Sequence, residues 1–322
     1  MRLLKLVPDN TNVDFMRWRV LAMAISIGLI VASLGLCVAK GFNLGIDFVG
    51  GQMLRATFTQ PVALDDLRER VDALGFGEST IQEFGSDKVI SIRLPLPEGG
   101  EAAANAAAQK VQAEVQRAYP GVRFDAVETV SGKVSNELYR TGAWAVGLAM
   151  LGIALYIWFR FEWQFGVGAL FSLLHDVSLT LGFFALTQLE FNLNVVAAIL
   201  TIVGYSLNDT IVVYDRIRED MRKYRKMAMI PLLNTSVNET LSRTIVTSLS
   251  MVMALLVLLF IGPDVIFGLT AAILIGIGIG TYSSIYVAAP ILLWLNVSPD
   301  AFAAKAVAKG DGERVTRIEK EV

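Results

Sequence analysis

The sequence of 322 residues is too apolar for an ordinary soluble domain, because 54% of its residues are hydrophobic and its mean hydropathy is +0.54. Its 28 basic and 30 acidic residues give a net charge of −2, which provides no electrostatic basis for a nucleic-acid partner. This composition indicates a protein embedded in a lipid bilayer.

Six apolar stretches predict six transmembrane helices, since each is long enough to cross about 30 Å of hydrocarbon. They comprise residues 20–39, 143–159, 165–187, 191–214, 244–261 and 265–295. Lysine and arginine are concentrated in three of the remaining segments, residues 1–19, 215–243 and 296–322. The short loops on the other side contain none, so the positive-inside rule predicts that both termini are cytoplasmic and that residues 40–140 lie outside.

The segment between the first and second helices has the pattern of a separate α+β domain. Alternating apolar residues predict strands, and helical spacing ending at glycine or proline predicts helices. The strands comprise residues 52–58, 79–84, 88–94 and 122–130, and the helices residues 62–74 and 101–119. The order β-α-β-β-α-β is ferredoxin-like. The segment contains no histidine, cysteine or phosphate-binding loop, which favours a docking role without chemistry.

The sequence indicates neither nucleotide hydrolysis nor a bound cofactor or metal. It contains no G-x-x-x-x-G-K-[ST] run. The run G-I-G-I-G at residues 276–280 looks like a dinucleotide fingerprint, but it lies within an apolar helix, where Gly276 and Gly280 favour close helix packing. We therefore expect a chain that is not an enzyme and that depends on a membrane gradient or a partner for energy.

The fourth helix contains a carboxylate where burial in hydrocarbon is costly. Asp209 lies about 9 Å from Asp215 at the cytoplasmic edge. Tyr205 and Ser206 precede it by one turn and Asn208 is adjacent, which predicts a polar face pointing into protein or water. Asp209 is either a permanent partner of a cation or a carboxylate that binds and releases a proton.

The fifth helix supplies a candidate cation. Its polar residues recur at spacings of three and four and comprise Ser236, Thr240, Arg243, Thr247 and Ser250. Arg243 is predicted near the cytoplasmic end, so it is either an ordinary interfacial anchor or the partner of a buried carboxylate.

The third helix contains the single histidine of the sequence, His175, followed by Asp176. A lone histidine does not predict a metal site. The pair is either a hydrogen-bonded packing device or part of a proton route, and both interpretations stay open.

Three stretches together resemble the SecF members of the SecD/SecF family, within the resistance-nodulation-division superfamily. They are G-I-D-F-V-G-G at residues 45–51, V-G-Y-S-L-N-D-T-I-V-V-Y-D-R-I-R-E at 203–219 and S-V-N-E-T-L-S-R-T at 236–244, and H-D-V at 175–177 also fits the family. The resemblance covers nearly the whole chain in order and topology.

The resemblance implies an obligate heteromer with SecD, whose six helices complete a twelve-helix unit in the bacterial inner membrane, with residues 40–140 in the periplasm. Such a unit uses the proton-motive force to drive late translocation of preproteins through the SecYEG channel, with YajC and YidC as further partners. The resemblance also assigns proton passage to Asp209 and Arg243.

Some alternatives stay open. Gly45, Gly50 and Gly51 join the first helix to the first strand, either as a hinge or as simple turns. The coupling ion is a proton or sodium. Half of a small-molecule or lipid exporter is disfavoured by the single compact domain, and a non-conducting scaffold subunit is disfavoured by Asp209 and Arg243.

Overall fold

The computed structural model describes Pro8 and residues 11–84, 86–125 and 127–299, apart from the side chains of Glu101 and Asp264. Three parts of the predictions lie outside these residues. They are the cytoplasmic tail beyond residue 299, Gly85 of the turn between two strands, and the first basic residues of the chain.

Six long apolar helices confirm the predicted number of candidate membrane spans. They are α1 (Arg19–Lys40), α5 (Gly132–Arg160), α6 (Trp163–Thr187), α7 (Leu193–Lys223), α8 (Met229–Ile261) and α9 (Phe267–Ser283), which continues through a π-helical turn (Ser284–Ala288) into α10 (Ala289–Trp294). About half of the α6, α7 and α9–α10 spans is buried, against 6% for α5 and 11% for α8. The centre of the bundle is therefore α6, α7 and α9.

Several helices extend well beyond the apolar stretches that predicted them. The predicted cytoplasmic loop 215–243 is mostly helical, because α7 continues to Lys223 and α8 begins at Met229. In the same way α5 begins at Gly132, where the Ser131 side chain accepts a hydrogen bond from the Val134 backbone N–H. Hydropathy locates only the apolar part of a helix, whereas the backbone hydrogen bonds continue into the polar flanks.

The segment between α1 and α5 folds as the expected antiparallel α+β domain. Its elements after a short helix α2 (Ile46–Val49) are β1 (Gly51–Thr57), α3 (Leu64–Asp72), β2 (Thr80–Phe84), β3 (Ser86–Leu94), α4 (Gly100–Ala118), β4 (Arg123–Phe124) and β5 (Glu128–Val130). The sheet order is β2-β3-β1-β4, and β5 also pairs with β1. The predicted last strand 122–130 is thus two short strands, because each pairs with a different part of β1.

The segment before α1 is held against α8 by two asparagines one turn apart. The Met16 backbone N–H donates to Asn234 Oδ1 at 2.9 Å. The Asn238 side chain accepts a hydrogen bond from the Val13 backbone N–H and donates one to the Val13 carbonyl, each 2.9 Å long. This contact joins the start of the first membrane helix to the same helix that carries Arg243.

Candidate functional site: buried polar groups of the membrane helices

Asp209 lies at the middle of α7, sixteen residues after Leu193 and fourteen before Lys223, which is about 24 Å and 21 Å along the helix. Its side chain is buried, with 4% exposed. Among the described residues no hydrogen-bond donor reaches its Oδ2 atom. An ionised carboxylate in such a place is costly, so this geometry is that of a group able to take up a proton.

Arg243 lies deeper in its helix than the sequence predicted. Because α8 begins at Met229, fourteen residues or about 21 Å of helix precede it, and Arg243 lies directly before the apolar part of the helix, residues 244–261. Its side chain is exposed on the surface of this chain. Its charge acts on Asp209, but no ion pair joins the two in the described part of the chain. Asp209 and Arg243 are therefore close enough to interact electrostatically, but they do not form a direct ion pair.

Asp176 is at the centre of a fully buried hydrogen-bond network between α6, α7 and α9. Its Oδ1 lies 2.8 Å from His175 Nδ1. Its Oδ2 accepts hydrogen bonds from Ser206 and, at 2.9 Å, from Ser283, which in turn accepts one from Ser172 at 3.0 Å. Both oxygens have partners, in contrast to Asp209, and this arrangement favours the packing interpretation of the His175–Asp176 pair.

The predicted polar face around Asp209 is divided between different partners. Ser206 binds Asp176, while the Tyr205 hydroxyl lies 3.4 Å from Ser248 Oγ, which lies 2.8 Å from Thr281 Oγ1. Asn208 is exposed. Thr247 donates back to the Arg243 carbonyl of its own helix at 3.0 Å. The structure therefore leaves Asn208 and Thr247 outside the buried networks and adds Ser248 and Thr281, whose only sequence signal was helical spacing.

Glycines of α9 allow α7 to approach closely. A Cβ at Gly276 would lie 2.5 Å from the Ile202 side chain, and one at Gly280 would lie 3.1 Å from Ser206 Cβ. These contacts support the predicted packing role of the glycine run. The same close approach brings Ser283 of α9 and Ser206 of α7 onto one Asp176 oxygen.

Local backbone geometry requires glycine at Gly50 and Gly51, whereas Gly45 is only crowded by a side chain. Gly50 and Gly51 have φ angles of +77° and +124°, and a Cβ at Gly51 would lie 2.7 Å from the Leu94 carbonyl oxygen. Gly45 has an ordinary φ, but its Cβ would lie 2.7 Å from Glu190 Oε1. These features support the turn alternative, and the hinge stays a prediction.

The segment after α1 is bound to the loop between α6 and α7, a junction that the sequence did not reveal. The Gly45 N–H donates to the Phe191 carbonyl at 2.8 Å, and the Leu193 N–H donates to Asp47 Oδ2 at 2.9 Å. Arg93 of β3 donates to the Leu44 carbonyl. The α+β domain and the start of α7 are thus directly connected.

Glu190 is the half-buried carboxylate of this junction. Burial raises the pKa of Glu190, and the charges of Arg93 and Arg55 act in the opposite direction. Burial also lowers the pKa of Arg93. A lone acid in an otherwise uncharged short loop was the signal in the sequence that could have located this site.

Two family models match the sequence. The model described as protein export membrane protein SecD/SecF, C-terminal, matches residues 110–298, and the SecD/SecF GG motif model matches residues 35–62. The second match includes Gly45, Gly50 and Gly51.

Curated relatives match over nearly their whole length. The protein translocase subunit SecF of Cereibacter sphaeroides is 43% identical over 91% of this chain and 93% of its own. The subunit of that name from Desulfurispirillum indicum is 44% identical over 88% of this chain and 91% of its own, and that of Pseudomonas aeruginosa is 40% identical over 90% and 93%.

Solved structures with the same fold include SecDF, described as a translocon-associated membrane protein, from Thermus thermophilus. It has a TM-score of 0.81 and 36% identity over 89% of this chain. SecDF in a super-membrane-facing form has a TM-score of 0.68 and 34% identity over 96%. This chain spans 39% and 41% of those two chains. The chain belongs to the SecD/SecF family, as a SecF-type subunit of the protein translocase.

Proposed function

We propose that this subunit works with SecD to couple the proton-motive force to late steps of preprotein translocation through SecYEG, with YajC and YidC as further partners. In this proposal it lies in the bacterial inner membrane, with both termini cytoplasmic and the α+β domain in the periplasm. The observation that carries the proposal is the mid-helix Asp209, buried with an oxygen to which no described residue donates.

The proposed proton step changes the attraction between α7 and α8. With Asp209 ionised, its charge attracts Arg243 and holds α8 close to α7. When Asp209 binds a proton the attraction ends and the helices repack. Each proton that crosses about 100 mV of membrane potential releases roughly 2.3 kcal/mol, which drives the cycle in one direction.

The junction at Glu190 supports a route from this step to the exterior domain. The α7 helix begins at Leu193, whose N–H binds Asp47 in the segment leading to β1. A displacement of α7 therefore acts on the α+β domain through this hydrogen bond. The domain would then move relative to a preprotein emerging from the channel.

The exposed surface of α8 supports the need for a partner subunit. Arg243 is exposed here at the point where the apolar part of α8 begins, and a charged group facing lipid is costly. A second helical subunit that covers this face would shield the cation. This chain matches about two fifths of the longer SecDF chains. We therefore propose that SecD is the subunit that covers the exposed face of α8.

The test is Asp209→Asn, measured for assembled complex and for gradient-dependent export in the same inverted membrane vesicles. Asparagine keeps the size of the side chain but cannot titrate. We expect normal assembly and an export rate equal to that without a gradient. Asp209→Glu should retain part of the rate, and Asp65→Asn, 96% exposed in the α+β domain, should retain all of it.

Two results would contradict the proposal. Normal gradient-dependent export by Asp209→Asn would exclude Asp209 as the proton carrier. Loss of assembly would instead indicate a structural partner of Arg243 in a scaffold subunit.

A further inference from the structure

A second site lies at the other end of the helices from the α+β domain. Here the end of α5, the end of α7 and the loop to α8 enclose a cavity of about 1270 Å³. Its basic lining residues are Arg160, Arg218, Arg222, Lys223, Arg225 and Lys226. Among the residues that the structure describes, the acids that line the same cavity are Asp215 and Glu219. The wall thus carries a large excess of positive charge.

The two acids are already engaged by arginines. Asp215 accepts two contacts from Arg160 Nη2, at 3.0 and 3.1 Å. Glu219 accepts from Arg216 at 2.8 Å. Neither Arg225 nor Lys226 forms an ion pair with a residue that the structure describes. The charge of these two side chains is therefore available to an anion from outside the chain.

Exposed aromatic residues give the depth of the cavity in the membrane. Trp158 and Phe159, immediately before Arg160, are 71% and 87% exposed, and Trp163 at the start of α6 is 53% exposed. Aromatic rings of this kind are enriched at the level of the lipid headgroups. The α5 span beside them is almost wholly exposed. The cavity therefore opens where a headgroup lies, next to a surface suited to acyl chains.

We propose that this cavity binds the headgroup of an anionic phospholipid. Its phosphate lies between Arg225 and Lys226, because guanidinium and ammonium groups form charge-assisted hydrogen bonds with phosphate oxygens. Its acyl chains lie along the apolar face of α5, which a free phosphate ion cannot use. This site is separate from Asp209 and Arg243 and does not depend on proton coupling.

The test is equilibrium binding of fluorescent phosphatidylglycerol to the full-length chain in neutral detergent, together with any subunit that co-purifies. Phosphatidylcholine with the same acyl chains is the neutral probe. Each cation near an anionic lipid contributes roughly fivefold to the affinity, so Arg225→Gln/Lys226→Gln should bind phosphatidylglycerol about 30-fold more weakly. The matched control is Lys133→Gln/Arg140→Gln, which removes two exposed cations at the opposite end of α5.

Wild-type preference for phosphatidylglycerol, lost in the first variant and kept in the control, would establish the site. Three results would overturn it. They are equal affinity for both lipids, equal weakening in the two variants, and displacement by inorganic phosphate as effective as displacement by unlabelled phosphatidylglycerol.

Discussion

Two aspartates in the middle of neighbouring membrane helices have opposite surroundings. Asp176 receives hydrogen bonds on both oxygens from His175, Ser206 and Ser283, whereas Asp209, three residues after Ser206, has an oxygen without a donor among the described residues. Hydrogen bonds to the charged form stabilise that form, and burial without them favours the neutral form. The contrast supports different interpretations of the two carboxylates, helix packing for Asp176 and the proposed proton exchange for Asp209.

At the junction of the domain and the helices, Glu190 predicts a pH-dependent stability. Burial raises the pKa of Glu190, assisted by the charges of Asp47 and Glu128 and opposed by Arg93 and Arg55. In the window between its ordinary and its raised pKa the folded protein binds the proton more tightly than the unfolded chain. Stability therefore falls as pH rises through this window.

Glu190→Gln removes the titrating group, so the thermal unfolding temperature of this variant should change less over the same pH window. Measurement over a pH series in detergent tests this. Glu83→Gln, an exposed acid on neighbouring β2, is the control and should behave as the wild type does. Identical pH profiles for wild type and Glu190→Gln would contradict the assignment.

At the scale of elements, contact between α7 and α9 positions the buried network. Gly276→Ala places a methyl group 2.5 Å from Ile202, so we expect it to force the helices apart and to destabilise the protein by about 1–3 kcal/mol. Gly278→Ala is the matched control, because its Cβ meets no atom within 4 Å and alanine favours helix by up to about 1 kcal/mol.

Thermal unfolding of the two purified variants in the same detergent compares them directly. A lower unfolding temperature for Gly276→Ala, with no loss for Gly278→Ala, is expected. Equal temperatures would show that α7 and α9 do not depend on this close contact.

At the scale of the whole molecule, the orientation in the membrane is open to direct measurement. Single cysteines replacing Asp87 and Glu98, both exposed in the α+β domain, should react with an impermeant reagent in intact spheroplasts. A cysteine replacing Lys223 at the end of α7 should react only after permeabilisation. These variants are made after Cys37→Ala, since Cys37 is the one native cysteine. Reaction at Lys223 without permeabilisation would reverse the topology.

The sequence by itself determined the number of membrane helices, the α+β class of the inserted domain and the choice of Asp209 and Asp176 as exceptional residues. These features depend on the local cost of placing each segment or charge in hydrocarbon, which can be calculated residue by residue. Alternation and helical spacing similarly determine the order of the short elements.

Only the tertiary structure decided which polar groups meet. Ser206 was grouped with Asp209 from its position one turn away, yet α9 packs so closely on α7 that Ser206 binds Asp176. The depth of Arg243 depended on where α8 begins, which hydropathy does not detect in a polar flank. The junction at Glu190 joins residues about 100 positions apart in the chain. Such contacts depend on how whole helices pack, and no local pattern in the sequence contains that information.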